Sequence, residues 1–138
     1  MEELRKKFNL DNKKIWIAGE TGMVGKAILK QLKKKKPNNK FLNSKHLDLR
    51  RQVDVEDWMK KNKPNIIFLA AAKVGGILAN NNYPVNFIED NLLISLNVIR
   101  SSYLNKIEKL IYLGSSCIYP KGLDKPITED LILSGPLE

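Results

Sequence analysis

A chain of 138 residues, 43% hydrophobic and 28% charged, has the size and composition of one ordinary soluble globular domain, and no apolar run approaches the roughly 18 residues of a membrane span. The net charge of +9 comes largely from lysines at Lys33–Lys36, Lys60, Lys61 and Lys63, the ends of predicted helices, where the macrodipole favours them; no aromatic interleaving accompanies them, which argues against nucleic acid as a partner. One cysteine, Cys117, excludes an internal disulfide and a cysteine metal cluster, and Met1–Asn12 is charged without an apolar core, so it is not read as a secretory signal and the cytoplasm is the expected compartment.

Lys14-Ile15-Trp16-Ile17-Ala18 reads as a buried strand that runs straight into Gly19-Glu20-Thr21-Gly22-Met23-Val24-Gly25. The stripe Ala27, Ile28, Leu29, Leu32 then predicts a helix from about Val24 to Lys35. A strand, a glycine turn and a helix N-terminus together present backbone N–H groups to a pyrophosphate. Gly19 is expected to turn the chain off the strand, Gly22 to let backbone approach phosphate, and Gly25 to let the helix pack closely. The plainer alternative is a tight connection that needs glycine for geometry alone. No Gly-Lys-Ser/Thr follows, so this is not the phosphate loop of an NTPase.

Phe41-Leu42 is the second predicted strand, followed by Asn43-Ser44-Lys45-His46 with no carboxylate until Asp48. An acidic side chain at that place accepts from a ribose 2′-hydroxyl and repels a 2′-phosphate, so its absence favours NADP over NAD; no arginine stands in that run to clamp the phosphate. Asp48 and Leu49 are placed to touch the adenine end, with a helix N-cap as an equal account of Asp48, and His46 is read as a surface residue. Gln52–Asn62 predicts a helix ended by Pro64, and Ile66–Leu69 a third buried strand.

After Ala70-Ala71-Ala72-Lys73-Val74-Gly75-Gly76 comes a predicted loop around Asn80–Asn82, then a long helix from Pro84 to about Leu104, apolar on more than one face and expected to be mostly buried. Leu110–Leu113 is the fourth strand, and no regular element is expected over Lys121–Glu138. The alternation implies an α/β fold: a Rossmann-like, doubly wound parallel sheet, partial, of about four strands in the order 3-2-1-4. The crevice is then expected at the C-terminal ends of strands one and four, where Gly19–Gly25 and Gly114–Cys117 would converge. Ser115 and Ser116 are either turn and cap residues or hydroxyls that polarise a substrate carbonyl; Cys117 is either a small buried hydrophobe or a proton-transfer group.

The runs Ile17–Gly25, Leu69–Ile77, Ala79-Asn80-Asn81, Tyr83-Pro84 and Leu113–Pro120 resemble the extended short-chain dehydrogenase/reductase superfamily and, within it, the GDP-L-fucose synthase family. The resemblance spans residues 14 to about 137. It implies 3,5-epimerisation of GDP-4-keto-6-deoxy-mannose followed by reduction at C4 with NADPH, a GDP-sugar as substrate and a homodimer for full-length members; from the residues themselves, neither a metal nor a membrane is expected. Carried over, Ser115 would hydrogen-bond the C4 oxygen and Cys117 would transfer protons in the epimerisation. Gly19, Glu20, Thr21, Gly22, Met23, Val24 and Gly25 would hold the cofactor pyrophosphate, and Asn43, Ser44, Lys45, Asp48 and Leu49 the adenosine end. Ala70, Ala71, Ala72 and Lys73 would take the ribose and nicotinamide side, with Leu113, Gly114 and Ser116 lining the same groove.

The family's Tyr-x-x-x-Lys pair has no counterpart after Ser115, since Tyr119 is followed four residues later by Leu123, and its epimerisation histidine is absent as well. The expectation is therefore an N-terminal NAD(P)-binding portion, residues 1–138, that lacks the substrate region and has lost its reductase activity. Another nucleotide-sugar epimerase or dehydratase, or a non-catalytic NADP-binding module, are the alternative readings.

Overall fold

Apolar runs too short for helices alternate here with runs of helical period, and the chain resolves that alternation strand by strand. In the computed structural model the described residues are 8–122, 124 and 126–137, so the reading of Met1–Lys7 and Glu138 lies outside them. The elements are β1 (Lys14–Ala18), α1 (Met23–Lys35), β2 (Lys40–Leu42), α2 (Gln52–Asn62), β3 (Ile66–Leu69), α3 (Ile77–Asn82), α4 (Pro84–Leu104) and β4 (Lys109–Tyr112).

Local chemistry explains the boundaries. Helix α1 ends on Lys33, Lys34 and Lys35, cations set against the negative end of its dipole. Helix α2 stops where Lys63 turns left-handed (φ 49), its N–H bonded to Met59 O at 2.8 Å, and Pro64 prevents continuation. Helix α4 starts with Pro84 in its first turn, where a missing N–H costs nothing.

All strand pairs are parallel, as expected, but the order is β2-β1-β3-β4 rather than 3-2-1-4. Strand β3 pairs with β1 from Ile15↔Ile66 to Ala18↔Leu69, on the side of β1 away from β2. Periodicity showed that β1 and β3 are buried on both faces; it carries no information on which buried strands are neighbours. The three-residue β2, with an exposed and a half-buried position, sits at one edge, and β3 takes the central place its apolar run demands.

The order has a geometric corollary. The chain moves one way along the sheet from β1 to β2 and the other way from β2 to β3 and β4, so right-handed crossovers put α1 on one face and α2 with α4 on the other. Ile15, Ile17 and Ile66 pack with Ile28, Leu29 and Leu32 of α1, whereas Trp16, Ala18, Ile67 and Leu69 pack with Val55 and Met59 of α2 and Val98 of α4. Doubly wound packing is thus established, and it follows from alternation of side chains along each strand.

Two further expectations change. The asparagine-rich segment contains α3, whose Asn80 amide donates to Gly75 O and Gly76 O at 3.0 Å each, replacing bonds that a short helix lacks. Helix α4 has the expected bounds but is not mostly buried: only Asn97, Val98, Ser101 and Ser102 are buried, while Ile88, Leu92, Leu96 and Ile99 are exposed. A helix laid on one sheet face covers one stripe only, whatever its other faces carry. At the far edge β4 bonds β3 on one side, and Leu110 and Ile111 are half-buried.

Candidate functional site

The glycine turn is held by backbone alone. Gly19 leaves β1 at φ +96, a conformation that side-chain residues rarely adopt, and a Cβ there would stand 2.7 Å from Ala71 N and 2.8 Å from the Ala70 carbonyl carbon. The loops after β1 and β3 therefore touch backbone to backbone. Gly22 N–H donates to Gly19 O at 3.0 Å, and Gly25 is buried so closely that an added Cβ would collide with the Gly19 carbonyl. No side chain caps the N-terminus of α1 and no acidic residue lies in its first turn, so its dipole and amides are available to an anion. Met23 and Val24 begin that turn and are exposed.

In front of the turn lies a cavity of about 390 Å³ between the C-terminal ends of β1 and β3. Gly19, Thr21 and Gly22 form one wall, Ala70–Lys73 another, and Asp48 and Leu49 a third. The crevice is thus at β1 and β3, not at strands one and four as the expected order required, because β3 intervenes between β1 and β4. Among expected residues Gly25 lies buried behind the turn, while Asn43 and Lys45 form a turn after β2 in which Lys45 N–H donates to Asn43 Oδ1 at 3.0 Å. His46 is exposed, as expected.

Leu47, Arg50, Asp90 and Ile94 also line the cavity and escaped sequence reading. Asp90 and Ile94 stand one turn apart on α4, a spacing that placed them on one face without saying what that face meets. Arg50 supplies the arginine that the run after β2 lacks. Its Nη2 and Nε meet the two oxygens of Asp48 at 2.8 and 3.0 Å, its Nη1 meets Asp90 Oδ1 at 3.2 Å, and Lys73 Nζ meets Asp90 Oδ2 at 2.7 Å. Asn91 doubly bonds the Lys73 backbone at 2.7 and 3.0 Å, and buried Asn97 donates to Leu49 O at 2.9 Å. Helix α4 thereby fixes both loops that flank the cavity. Asp48 does not cap α2, whose cap position is Arg51; it accepts instead from Arg50 N at 3.0 Å.

The forked hydrogen bonds from Arg50 hold Asp48 down at about 2, and Lys73 holds Asp90 below its usual value. A lowered carboxylate stabilises the fold in full above its ordinary pKa of 3.8, and that contribution disappears as pH falls through about 2. The Tm advantage of the wild-type chain over Arg50→Gln is therefore expected to shrink between about pH 5 and about pH 2. Exposure and solvent screening keep the effect small. A Tm difference independent of pH across that window would contradict the assignment.

At the β2 end, Glu20 Oε1 accepts from Ser44 N–H at 3.1 Å, and Trp16 Nε1 donates to Ser44 Oγ at 2.8 Å. Leu113, Gly114, Ser115, Ser116 and Cys117 are exposed and lie outside the cavity lining, one strand away from it. Ser115 Oγ accepts from Cys117 N–H at 3.2 Å and opens a 3-10 turn over Ser116–Ile118. Cys117 is free and exposed, unlike the buried hydrophobe of one sequence reading. Among the described residues no cluster of three or more His, Cys, Asp or Glu can hold a metal, and no helix is long and apolar enough to cross a membrane.

Residues 15–138 match the family described as NAD dependent epimerase/dehydratase. The chain is 50% identical over 131 residues to a GDP-L-fucose synthase of Sinorhizobium fredii, covering 95% of this chain and 42% of that protein. It is 42% identical over 130 residues to GDP-L-fucose synthase of Escherichia coli, covering 94% and 40%. Among solved structures, a GDP-mannoheptose C4 reductase from Campylobacter jejuni with NADP bound superposes with TM-score 0.82 at 38% identity, over 92% of this chain and 40% of that one. A GDP-L-fucose synthetase from Naegleria fowleri bound to NADP gives 0.76 at 31% identity, over 92% and 38%. The chain thus spans about four-tenths of the length of these relatives.

Proposed function

The chain belongs to the NAD dependent epimerase/dehydratase family, and from that premise we propose that its cavity binds NADPH for the epimerisation and reduction of a GDP-4-keto-6-deoxy sugar to GDP-L-fucose, in the cytoplasm. One observation carries the reading: Gly19 packs directly on the backbone of Ala70 and Ala71, so that Gly22, the uncapped N-terminal position of α1, and the loop after β3 line the same cavity. That construction suits a pyrophosphate laid across the ends of two parallel strands.

In this reading Gly22 and the first turn of α1 hold the pyrophosphate, Asp48 and Leu49 face the adenine end, and Ala70–Lys73 support the ribose and nicotinamide side. NADPH, when bound, supplies the hydride for the keto group. Lys73, fixed by Asp90 and Asn91, presents a cation at the lip of the groove. Ser115 donates a hydrogen bond to the C4 oxygen of the sugar and Cys117 exchanges protons beside the ketone. A proton must also reach the C4 oxygen on reduction, and the 138 residues hold no Tyr-x-x-x-Lys after Ser115 to deliver it. We accordingly assign to these 138 residues the dinucleotide-binding part of the reaction together with the Ser115 and Cys117 contacts to the sugar, and not the delivery of the C4 proton.

Saturating NADPH is expected to raise the Tm of the purified chain by several degrees, since a ligand at about 100 times its Kd adds about 2.7 kcal/mol. Mixed with GDP-4-keto-6-deoxy-mannose, the chain alone leaves NADPH absorbance unchanged. An unshifted Tm at millimolar NADPH would overturn the binding role, and steady oxidation would overturn the division of labour.

A further inference from the structure

The run after β2 offers no carboxylate of its own, yet the fold brings one there from the glycine turn. Glu20 Oε1 lies 3.1 Å from Ser44 N, so the Ser44 N–H, two residues beyond β2, is met by a carboxylate belonging to the protein. Ser44 is pinned in turn by Trp16 Nε1, a donor from the buried centre of β1, which fixes the residue that Glu20 grips. Glu20 is half-buried, its partner is backbone, and no ion pair is formed by it among the described residues.

The surroundings give the carboxylate its meaning. A dinucleotide with its pyrophosphate on α1 carries its adenosine towards the end of β2, where a carboxylate accepts from the ribose 2′-hydroxyl and an arginine or free N–H receives a 2′-phosphate. Here Ser44 N–H is already engaged. Arg50, the arginine of the cavity lining, is committed to Asp48 on one side and Asp90 on the other. Lys45 remains as an exposed ammonium, able to attract a phosphate but not to grip it by a fork. An entering 2′-phosphate must displace Glu20 from Ser44 or lie beside its charge, whereas a 2′-hydroxyl donates to it.

We propose that Glu20 is a specificity-determining residue at the adenosine ribose: its carboxylate accepts from a 2′-hydroxyl and opposes a 2′-phosphate, so the groove takes NADH as well as NADPH. The proposal rests on the groove being a dinucleotide site. It also explains how an acid can act at the end of β2 although the strand is followed by Asn43-Ser44-Lys45-His46.

The test is titration of the wild-type chain, Glu20→Gln and Glu20→Ser with NADH and with NADPH by quenching of tryptophan fluorescence, alongside Tm without ligand. Glutamine keeps an oxygen for Ser44 N–H while removing the charge, so loss of fold and loss of charge are separated. Wild type is expected to bind the two dinucleotides within about tenfold of each other, and Glu20→Gln to tighten NADPH about tenfold while leaving NADH unchanged or weaker. The serine variant moves the ratio in the same direction. An NADPH-to-NADH affinity ratio that stays put in both variants overturns the role of Glu20 and leaves the groove assignment standing. Failure of every folded form to bind either dinucleotide overturns the groove assignment, and this inference with it.

Discussion

Gly25→Ala is expected to unseat α1 and abolish dinucleotide binding together. The added methyl would collide with the Gly19 carbonyl and lie 2.7 Å from the Gly19 carbonyl carbon and 3.0 Å from Glu20 Cα. None of these atoms ends a flexible side chain that can swing aside; all belong to the turn. Relief requires that the first turn of α1 lift off the loop, which moves the amides that face the cavity. Overpacking against backbone costs about 3 kcal/mol, or about 10 °C in Tm at this chain length. Thermal melting and NADPH titration check it: a variant within about 2 °C of wild type that binds NADPH equally well would show that Gly25 is not a packing requirement.

Trp16→Ala is expected to cost more, about 3–5 kcal/mol, the range for deleting a buried aromatic. Trp16 is fully buried in the middle of β1, between Leu42 of β2 and Ile67 of β3 in register, and its ring centroid lies 4.4 Å from that of Trp58 on α2. Its removal hollows the core on the α2 side of the sheet and frees Ser44, so the turn after β2 loses an anchor as well. Trp16→Phe separates the two effects: it keeps most of the packing and loses the Ser44 bond, a cost of about 1 kcal/mol. Urea unfolding distinguishes them. A Trp16→Ala chain with a midpoint near that of Trp16→Phe would mean that the site collapses around the missing ring and that packing is not what Trp16 supplies.

Much of this architecture was legible along the chain. Strand β1, helix α2, strand β3 and helix α4 have the bounds that periodicity, lysine-rich ends and prolines 64 and 84 imply. Those signals are local: a period states which residues share a face, and a proline states where a helix cannot continue. The glycine turn was legible for the same reason, since a positive φ at Gly19 is a property of a few bonds. Helix α3 was missed because asparagine has poor helix propensity, and the side-chain bonds of Asn80 that offset this appear only once Gly75 and Gly76 are in place.

Residues joined across long separations were hidden. Asp90 stands 40 positions from Arg50 and 17 from Lys73, and nothing local announces that α4 would carry it to the lip of a cavity formed by two strand ends. Glu20 reaches Ser44 over 24 positions, so an acid belonging physically to the end of β2 lies within the glycine turn in the sequence. The exposed apolar residues of α4 were equally hidden, because hydrophobicity reports what a side chain prefers and not which stripe the sheet covers.

By itself, then, the amino-acid sequence determined the elements, their alternation, the parallel sheet this alternation requires and the glycine turn on which a pyrophosphate can rest, for each depends on a few neighbouring residues. The tertiary structure alone decided that β3 lies beside β1, that the cavity opens there, that Arg50, Asp90 and Lys73 close its lip, and that Glu20 reaches Ser44 beyond the end of β2. Strand order and charge pairing are set by which surfaces pack together after the chain has crossed the sheet in both directions, and no local pattern encodes that choice.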